Sequence, residues 1–501
     1  MLPKYLDTVE YTIEVWDINN VFVADISRLV ATSLRITERI NDVDEIAFAI
    51  DLVQFEKLCA SIGTRPLNII EPYRTDIKIR RNGEYFIGGH VVRTNVNFNS
   101  TETNKLEIQC TGYLNHFKDR LMTKTYQNMT YAEIARSLIF DTQAAYNHAV
   151  NGSFYSGIYG WVKSDSGYIF WDRAVGHDGL GSLFSSVSTG PNTNGGARWP
   201  MNIVSGLQYT VKLWYRAAVG AGTIYVQNSN TGTKYGEVSI TNTEWTYFET
   251  TFTAAANGTS IDVKTSGLID FWIDDVSITD NVDAPLRRSF GVSLGTDFAS
   301  SSQLSGRIRD YDLQNVKDAI INLTKLENDN FDFKFDANKV FTTYSRLGSD
   351  KPQIELVYPQ NITSLRTTRD AQTLYNKIFG IGSGIGNERL QTNLIDADSA
   401  LAYRVREKTE LYNSVDRIDT LLTNTYGALN EQKQIYDDVV INVSNNTIDL
   451  NEVVLGDAIY VRIDDSSYVD YINGMFRIVE RNIEVTIDME ENVSMTMTRW
   501  D

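Results

Sequence analysis

Six of the eight tryptophans of this 501-residue chain lie between residues 147 and 283. Indole rings have flat apolar faces that stack against sugar rings, and nearby polar side chains can replace the water that sugar hydroxyls lose. These residue types could therefore serve carbohydrate recognition by contact, without bond breaking. Any one of the rings could instead pack in a hydrophobic core. The six are Trp161, Trp171, Trp199, Trp214, Trp245 and Trp272.

Strand alternation predicts which of the aromatic side chains face solvent. Successive side chains on a β-strand point to opposite faces, and apolar residues occupy every second position at 209–215, 224–226 and 271–273. The residues between them are therefore assigned to the outer face. We expect one open glycan-binding platform made of Trp214, Tyr225, Gln227 and Trp272.

Two further tryptophans predict a second, loop-borne site. Trp171 and Trp199 lie in connections rich in glycine, beside Tyr168 and Arg198. Loops held on a rigid scaffold often carry binding residues. These two rings are therefore additional candidates for glycan contact.

The segment that carries these residues differs in composition from the rest of the chain. Residues 147–283 contain 17 of the 33 glycines, and short strand patterns alternate there with turns of Gly, Asn, Ser and Thr. This pattern indicates an all-β sandwich. Because the flanking sequence is mixed α and β, we interpret the segment as an inserted domain whose two ends lie close together.

Short-range patterns predict hairpins before the insert. Apolar residues alternate along 34–50, and Asn82-Gly83 separates two alternating strands. An Asn-Gly pair is the strongest short hairpin signal, because a type I′ turn needs positive φ at both central residues. Gly88-Gly89 predicts a sharp bend or a bulge in the second of these strands.

Helices are predicted on both sides of the insert. Thr130 and Glu133 have the spacing of a capping box, in which each side chain satisfies a backbone amide at the helix start. Apolar residues at helical spacing predict two further helices, at 312–327 and 414–434.

Composition excludes several classes of function. The net charge of −18 argues against a nucleic-acid clamp, which requires clustered Lys and Arg. An evenly acidic surface fits either solubility or the wall of a conduit that repels DNA. No apolar run reaches the roughly 18 residues of a transmembrane helix, and no signal peptide is expected at the start. Two cysteines, Cys59 and Cys110, argue against a disulfide scaffold and a Cys-ligated metal.

Familiar catalytic patterns do not occur. The four histidines lack metal-ligand spacing, and no Gly-x-Ser-x-Gly elbow is present. Adjacent carboxylates, as in Asp274-Asp275 and Asp437-Asp438, would point to opposite faces of a strand and could not flank one glycosidic bond. We therefore expect no enzyme, although a glycosidase with carboxylates far apart in sequence stays open.

The sequence outside the insert resembles the baseplate hub, or tail-associated hub, of phages and related contractile machines. The resemblance covers residues 1–145 and 286–501, and it depends on the order of several short motifs. The motifs are a barrel hairpin at Arg80–Val91, a capped helix at Met129–Ala135, a second helix at Asn315–Ile320 with a hairpin at Phe331–Phe335, and a closing barrel at Leu455–Asp457 and Gly474–Ile478.

The hub resemblance implies a homotrimeric ring in which each subunit supplies two tube-type β-barrel domains. Such a ring joins the tail tube to the tip of the virion tail and is assembled in the host cytoplasm. Its implied partners are a distal tail ring or tail tube protein, the tape measure protein and a separate spike or tip protein, with DNA only passing through the lumen. Because the chain ends at Asp501, directly after the last barrel strand, a piercing tip is expected on another polypeptide.

The insert resembles the jelly-roll carbohydrate-binding modules of bacterial glycanases. The matching pieces are Asn151–Phe154, the strand start at Gly206–Tyr209 and the ending at Phe271–Ile278. In this family Trp161 would occupy a core position. The resemblance also implies a structural calcium ion held by Asp275 or Asp274 with the Asn151 region, since calcium prefers hard oxygen ligands. The alternative is that both aspartates are solvated or cap a turn.

These observations combine into one prediction of architecture and function. We expect a mainly β chain with α+β elements: a first hub β-barrel domain at 1–122, a split α+β domain at 123–146 and 286–350, an inserted β-sandwich (jelly roll) at 147–283, and a second hub β-barrel domain at 351–501. The expected function is a structural baseplate or tail-tip hub whose insert contacts host-surface glycans. The alternative is a secreted or surface glycan-binding protein, or a glycanase accessory protein, outside any virion.

Overall fold

The structure is a computed structural model of the whole chain, and it describes most of the residues. The predicted domain junctions at 283 and 286 and the terminal residue 501 lie outside the described residues. The remaining residues that are not described are 1–8, 99–102, 145–146, 150, 155–156, 165–166, 178–180, 187–194, 242, 268, 284–285, 287, 297–307, 327–329, 370, 385–387, 413–414, 436, 444–448 and 464–471.

Strands dominate the fold, and six α-helices are described. The strands before and within the insert are β1 (Tyr11–Asp17), β2 (Phe22–Asp25), β3 (Leu34–Arg39), β4 (Glu45–Asp51), β5 (Thr75–Arg81), β6 (Glu84–Asn97), β7 (Lys105–Thr111), β8 (Leu121–Gln127), β9 (Val162–Lys163), β10 (Tyr168–Asp172), β11 (Ser182–Ser186), β12 (Gly196–Ile203), β13 (Gln208–Val219), β14 (Gly222–Asn228), β15 (Lys234–Ile240), β16 (Thr246–Thr253), β17 (Gly258–Ser266) and β18 (Asp270–Asp280).

The remaining strands follow the insert. They are β19 (Ser293–Leu294), β20 (Ile308–Asn315), β21 (Asp332–Phe335), β22 (Val340–Tyr344), β23 (Asp350–Tyr358), β24 (Ile362–Arg369), β25 (Lys377–Ile381), β26 (Gln391–Ile395), β27 (Glu407–Leu411), β28 (Asp437–Val443), β29 (Ala458–Ile463), β30 (Gly474–Val485) and β31 (Glu491–Arg499). The helices are α1 (Leu52–Ser61), α2 (Pro66–Ile69), α3 (Tyr131–Gln143), α4 (Val316–Leu323), α5 (Ala397–Tyr403) and α6 (Ile418–Gln432). No helix in the described part of the chain is long and apolar enough to cross a membrane.

The chain divides into two compact units. The first, called the body here, comprises Met1–Met122, Tyr126–Phe140 and Phe290–Asp501. The second, called the sandwich, comprises Thr123–Thr125 and Asp141–Ser289. Within the sandwich, the Ser289 hydroxyl lies 3.4 Å from Oε1 of Gln143, so the two ends of the unit lie side by side. An insertion into a host domain requires this closeness.

A thirteen-stranded sheet organises the body. Its strand order is β2-β1-β5-β6-β7-β4-β3-β30-β31-β28-β24, and β29 pairs with both β30 and β23. The pairing of β3 with β30 joins strands from the two predicted barrel ranges, which share one apolar core. A mainly β fold is confirmed, but no pairing among the described residues closes a barrel. The sequence could not reveal the β3–β30 contact, because the two strands are far apart along the chain.

A buried ion pair crosses the β3–β30 contact. Glu38 lies on the same face of β3 as the core residues of that strand, and Nε of Arg481 donates to its Oε2 at 2.9 Å. Arg481 also donates to the carbonyls of Leu450 and Val453, and Nζ of Lys334 donates to Oε1 of Glu38 at 3.1 Å. Burial acts to raise the pKa of Glu38, but the two cations outweigh it and hold that pKa at about 2.

The predicted hairpin at 80–87 is confirmed, but its bulge lies elsewhere. Asn82 and Gly83 have φ of 52° and 84°, as the turn requires. The register shifts between Ile79 and Arg80 and not at the glycine pair. Gly88 and Gly89 instead permit close packing: a Cβ on Gly88 would lie 2.6 Å from the Tyr113 hydroxyl, and one on Gly89 would lie 2.6 Å from the Thr111 carbonyl oxygen.

The predicted helices form with shorter bounds in two cases. The capping box is confirmed, since the Glu133 amide donates to Oγ1 of Thr130 at 3.0 Å and the Thr130 amide donates to Oε2 of Glu133 at 2.7 Å. The helix predicted at 312–327 begins only at Val316, because the preceding residues form β20 and Asn315 caps the helix. The helix predicted at 414–434 spans Ile418–Gln432.

Two histidines that are distant in sequence stack in the interior of the body. The ring centroids of His90 and His116 are 3.8 Å apart, and the ring of Phe290 covers His116 at 4.6 Å. Burial, reinforced by the Lys339 charge, lowers the pKa of His90 to about 3. Burial, followed by His90 and Lys339, lowers the pKa of His116 to about 2. Both rings are therefore neutral in the folded body at ordinary pH.

Two five-stranded antiparallel sheets pack face to face in the sandwich. Sheet I has the order β10-β11-β18-β13-β16, and sheet II has the order β15-β14-β17-β12-β9. Alternate apolar side chains from both sheets fill one core. Gly152 lies so close to β18 that a Cβ there would be 1.9 Å from the Val276 carbonyl oxygen, which explains the need for glycine at this position.

Candidate carbohydrate-binding surfaces

The four residues of the predicted platform do not share one surface. Trp214 and Trp272 lie on β13 and β18 of sheet I, whereas Tyr225 and Gln227 lie on β14 of sheet II. All four side chains point away from the core, as alternation predicts, but the two outer faces are on opposite sides of the sandwich. Alternation fixes the face on which a side chain lies, and it carries no information about which sheet the strand joins.

The predicted placement of Trp171 and Trp199 on loops is also wrong. Trp199 lies on β12 and points into the core, where its ring centroid is 5.3 Å from that of Trp161. Trp171 lies on β10, packs against the same core, and donates its indole N–H to the Phe154 carbonyl at 2.8 Å. Trp161 is buried in the core, as the resemblance implies. Glycine-rich flanks hid the two strands from a pattern-based prediction.

The outer face of sheet II carries a buried aromatic ring among polar side chains. Tyr225 is only 4% exposed, although it lies outside the apolar core cluster. Its neighbours across the strands are Lys264 on β17 and Glu237 on β15. Nζ of Lys234 lies 4.1 Å from the centroid of the Tyr225 ring.

A charged pair lies on β12 and β17 next to Tyr225 and Gln227. Asp262, which pairs with Gln227 in register, is only 1% exposed. Nε and Nη2 of Arg198 donate to its two carboxylate oxygens at 2.8 and 2.9 Å. The Ser164 hydroxyl donates to Oδ2 of Asp262 at 3.0 Å. Asp262 and Lys264 were not predicted, although their alternation with Ile261 and Val263 was a usable signal.

Trp214 is covered on the outer face of sheet I. The ring of His177 stacks on it with centroids 3.9 Å apart and an interplanar angle of 15°. The same residue holds two carboxylates, because its amide donates to Oδ2 of Asp274 at 2.8 Å and its Nδ1 lies 2.8 Å from Oδ2 of Asp275. Trp214 is therefore not available as an open stacking surface in this structure.

A local bulge brings the two adjacent carboxylates together. Asp275 has φ of 48°, and the register between β13 and β18 shifts between Lys212 and Trp214. The expectation that Asp274 and Asp275 point to opposite faces is therefore wrong, because a bulge suspends the alternation. Bulges leave no clear signal in a single strand sequence.

The calcium prediction is only partly matched by the residues present. Asp274 is fully buried, and its two oxygens accept the amides of His177 and Asp275. The Asn151 side chain donates instead to the carbonyls of Gly157 and Tyr159. Within the described residues no group of three His, Cys, Asp or Glu side chains is placed to hold a metal. Calcium at Asp275, Asp274 and Asn151 stays a prediction.

A row of side chains crosses sheet I beside Trp214. Phe170 pairs with Phe184, Phe184 with Trp272, and Trp272 with Arg216, from β10 through β11 and β18 to β13. The ring centroids of Phe170 and Phe184 are 4.6 Å apart, and those of Phe184 and Trp272 are 5.1 Å apart. Phe170 is 47% exposed, so one end of the row faces solvent openly. We call this set the aromatic row.

The sandwich and the whole chain are similar to two different groups of proteins. Residues 146–267 match the model of a family described as a carbohydrate binding domain. The sandwich is also similar to a xylan-binding domain from Paenibacillus barcinonensis, at 17% identity and a TM-score of 0.23, covering 26% of this chain and 96% of that one. No curated protein matches the chain.

Over nearly its whole length the chain is similar to solved phage tail proteins. One is the tail protein from Neisseria meningitidis, at 8% identity and a TM-score of 0.49, covering 98% of this chain and 96% of that one. Another is a prophage tail protein from Shewanella oneidensis, at 9% identity and a TM-score of 0.47, covering 97% of this chain and 98% of that one.

Proposed function

We propose that the sandwich binds carbohydrate on the outer face of sheet II. The observation that carries this proposal is a set of buried polar groups outside the core: Asp262 and Lys264 lie beside the Tyr225 ring on the face turned away from the apolar interior. Burying charge costs free energy. Because apolar contacts on the other face already hold the sheets together, the fold does not need these buried charges, and a binding role accounts for them. The family match of residues 146–267 supports carbohydrate binding by the sandwich.

The arrangement suits sugar recognition chemically. The two hydrogen bonds from Arg198 to Asp262 fix both side chains, so that neither has to be ordered when a ligand binds. Gln227 offers an amide donor and an acceptor for hydroxyl groups. The Lys234 ammonium covers the Tyr225 ring but is half exposed, so it can move aside for a sugar ring.

Replacing Tyr225 by leucine is expected to weaken binding to host cell-wall polysaccharide about tenfold, roughly 1.4 kcal/mol. Leucine keeps the position apolar and removes the aromatic face. Affinity electrophoresis of the full chain in gels containing host wall polysaccharide measures the change. Trp214→Phe serves as the matched control, because Trp214 lies on the opposite sheet under His177. If no wall preparation retains the wild-type chain, that result contradicts carbohydrate binding.

We further propose that the body is a structural component of a phage-type tail, acting as the baseplate or tail-tip hub. The support is the ordered set of hub-like motifs: the hairpin after Arg80, the helix capped by Thr130, the helix capped by Asn315 and the strand at Gly474–Val485 all form. In this proposal three chains form a ring between the tail tube and a separate spike. The ring contacts the distal tail ring or tail tube protein and the tape measure protein, and it lets DNA pass.

Electron microscopy and mass measurement of the purified chain test the hub proposal. We expect a ring with three-fold symmetry, a central hole and three times the mass of one chain. Three sandwiches on one ring would add avidity to weak glycan contacts. A monomer at micromolar concentration would contradict the hub and favour a secreted or surface glycan-binding protein, or a glycanase accessory protein, instead.

A further inference from the structure

The aromatic row on sheet I lies on the side of the sandwich opposite the proposed sheet II site. Its rings are not coplanar: the planes of Phe170 and Phe184 meet at 39°, and those of Phe184 and Trp272 at 62°. A flat polysaccharide surface could therefore not lie against all three rings at once. The row offers separate ring faces and edges, which suits one or two sugar units.

The indole of Trp272 is fixed in the middle of the surface. Its Nε1 donates to Oδ2 of Asp172 at 2.9 Å, and Phe184 packs against it edge to face. Asp172 lies two residues beyond Phe170 on β10, on the same face. The Asp172 carboxylate beside the row thus already accepts a hydrogen bond from the row itself.

Arg216 closes the other end of the row and has no anionic partner among the described residues. Its guanidinium lies 5.4 Å from the Trp272 ring. Its Nε is buried without a hydrogen-bond partner, and none of the described residues forms an ion pair with it. By contrast, Lys212, on the same face of β13, is 3.7 Å from Glu249. The guanidinium of Arg216 thus carries a charge that no described side chain balances, whereas the charge of Lys212 is balanced by Glu249.

We propose that the aromatic row is a second carbohydrate contact that takes a uronic acid residue. The Trp272 and Phe184 rings pack against the pyranose, and the Arg216 guanidinium receives its carboxylate. A guanidinium binds a planar carboxylate through two parallel hydrogen bonds. The two Nη atoms of Arg216 are not among the buried atoms without a partner, so they can supply both bonds. Arg216 lies one ring width from Trp272, so the anion must be attached to the stacked sugar itself, as it is in a uronic acid.

The proposal rests on carbohydrate binding by the sandwich and adds the sugar class and a second surface. It is tested by isothermal titration of the full chain with an oligogalacturonate and with the same oligosaccharide after carboxyl reduction. We expect the acidic form to bind at least tenfold more tightly. Arg216→Gln should weaken oligogalacturonate binding about tenfold, and Phe170→Ala about threefold. Circular dichroism establishes that each variant is folded.

Matched controls separate this site from general electrostatics and from sheet II. Lys212→Gln removes one positive charge from the same face and should change affinity less than twofold. Tyr225→Leu should weaken neutral wall glycans but leave oligogalacturonate binding unchanged. Equal effects of Lys212→Gln and Arg216→Gln would overturn the proposal. If wall glycans bind and oligogalacturonate does not, the proposal fails while the proposed function stands; if no carbohydrate binds at all, both fail.

Discussion

Replacing Glu38 by glutamine is expected to lower the free energy of unfolding of the body by about 3–5 kcal/mol. The substitution leaves the shape nearly unchanged but removes the charge that balances Arg481, whose side chain is only 2% exposed. A guanidinium held in an apolar core without a counter-charge is strongly destabilising, whereas a buried pair taken as a whole contributes little net stability. The expected loss of stability therefore measures the cost of leaving the Arg481 guanidinium without a counter-charge.

The same strand pair supplies a control for this substitution. Arg35 and Glu484 pair in register between β3 and β30, and their side chains are 71% and 42% exposed. Glu484→Gln should cost less than about 1 kcal/mol, because solvent screens an exposed pair. Urea unfolding read by hydrogen exchange of β3 and β30 measures both variants. Equal losses would show that the burial of Glu38 has no energetic consequence.

A double substitution distinguishes the cost of the unpaired charge from a general repacking defect. Glu38→Leu combined with Arg481→Met replaces both charged groups by apolar ones. We expect this variant to recover most of the stability that Glu38→Gln loses, since buried ion pairs can be replaced by well-packed apolar residues. Lys334 also donates to Glu38. The double variant leaves the Lys334 ammonium without this partner, which limits how much of the stability is recovered.

Acidification from pH 7 to pH 5 is expected to remove about 4 kcal/mol of stability through the stacked His90 and His116. Their pKa values in the folded chain, about 3 and about 2, are below the ordinary 6.5. The unfolded chain therefore binds more protons below pH 6.5. The contribution of the two histidines to the free energy of unfolding is therefore complete above pH 6.5, and it is lost as the pH falls towards 3. Each ring contributes about 2 kcal/mol over this interval.

Comparison with His116→Phe isolates the histidine contribution. Phenylalanine preserves stacking on Phe290 and cannot titrate. Burial, followed by Glu38, raises the pKa of Asp44 to about 7, which makes the fold more stable on acidification and opposes the histidines. The effect of Asp44 is the same in the wild type and in His116→Phe, so it cancels when their free energies of unfolding are subtracted. Urea unfolding at several pH values should show the variant gaining about 2 kcal/mol relative to wild type between pH 7 and pH 5; a constant difference would contradict the argument.

Features encoded by neighbouring residues were predictable from the sequence. The Asn82-Gly83 turn and the Thr130–Glu133 capping box form as expected, because a few local bonds and φ angles determine them. The outward direction of Trp272 and Tyr225 followed from alternation. Their placement on opposite sheets did not, because strand pairing is a long-range choice that one strand pattern cannot express.

The composition of the candidate surfaces was less predictable than the fold. Trp214 is covered by His177, whose loop carries no regular pattern, and the bulge at Asp275 reverses the side-chain alternation that the prediction used. The charged neighbours of Tyr225 carry no aromatic signal. The pattern that indicates Asp262 and Lys264 is their alternation with the buried Ile261 and Val263.

The pairing of β3 with β30 also bears on how the chain folds during synthesis. Glu38 and Arg481 are 443 residues apart, so at about 5–20 residues per second the ribosome takes roughly 20–90 s to deliver the partner strand. Until then β3 is an unpaired sheet edge, which is prone to wrong association. The sandwich consists mainly of residues 141–289 and can fold early. We therefore expect nascent chains to hold a finished sandwich and an unfinished body, which makes chaperone protection of the β3 edge valuable until β30 has been synthesised.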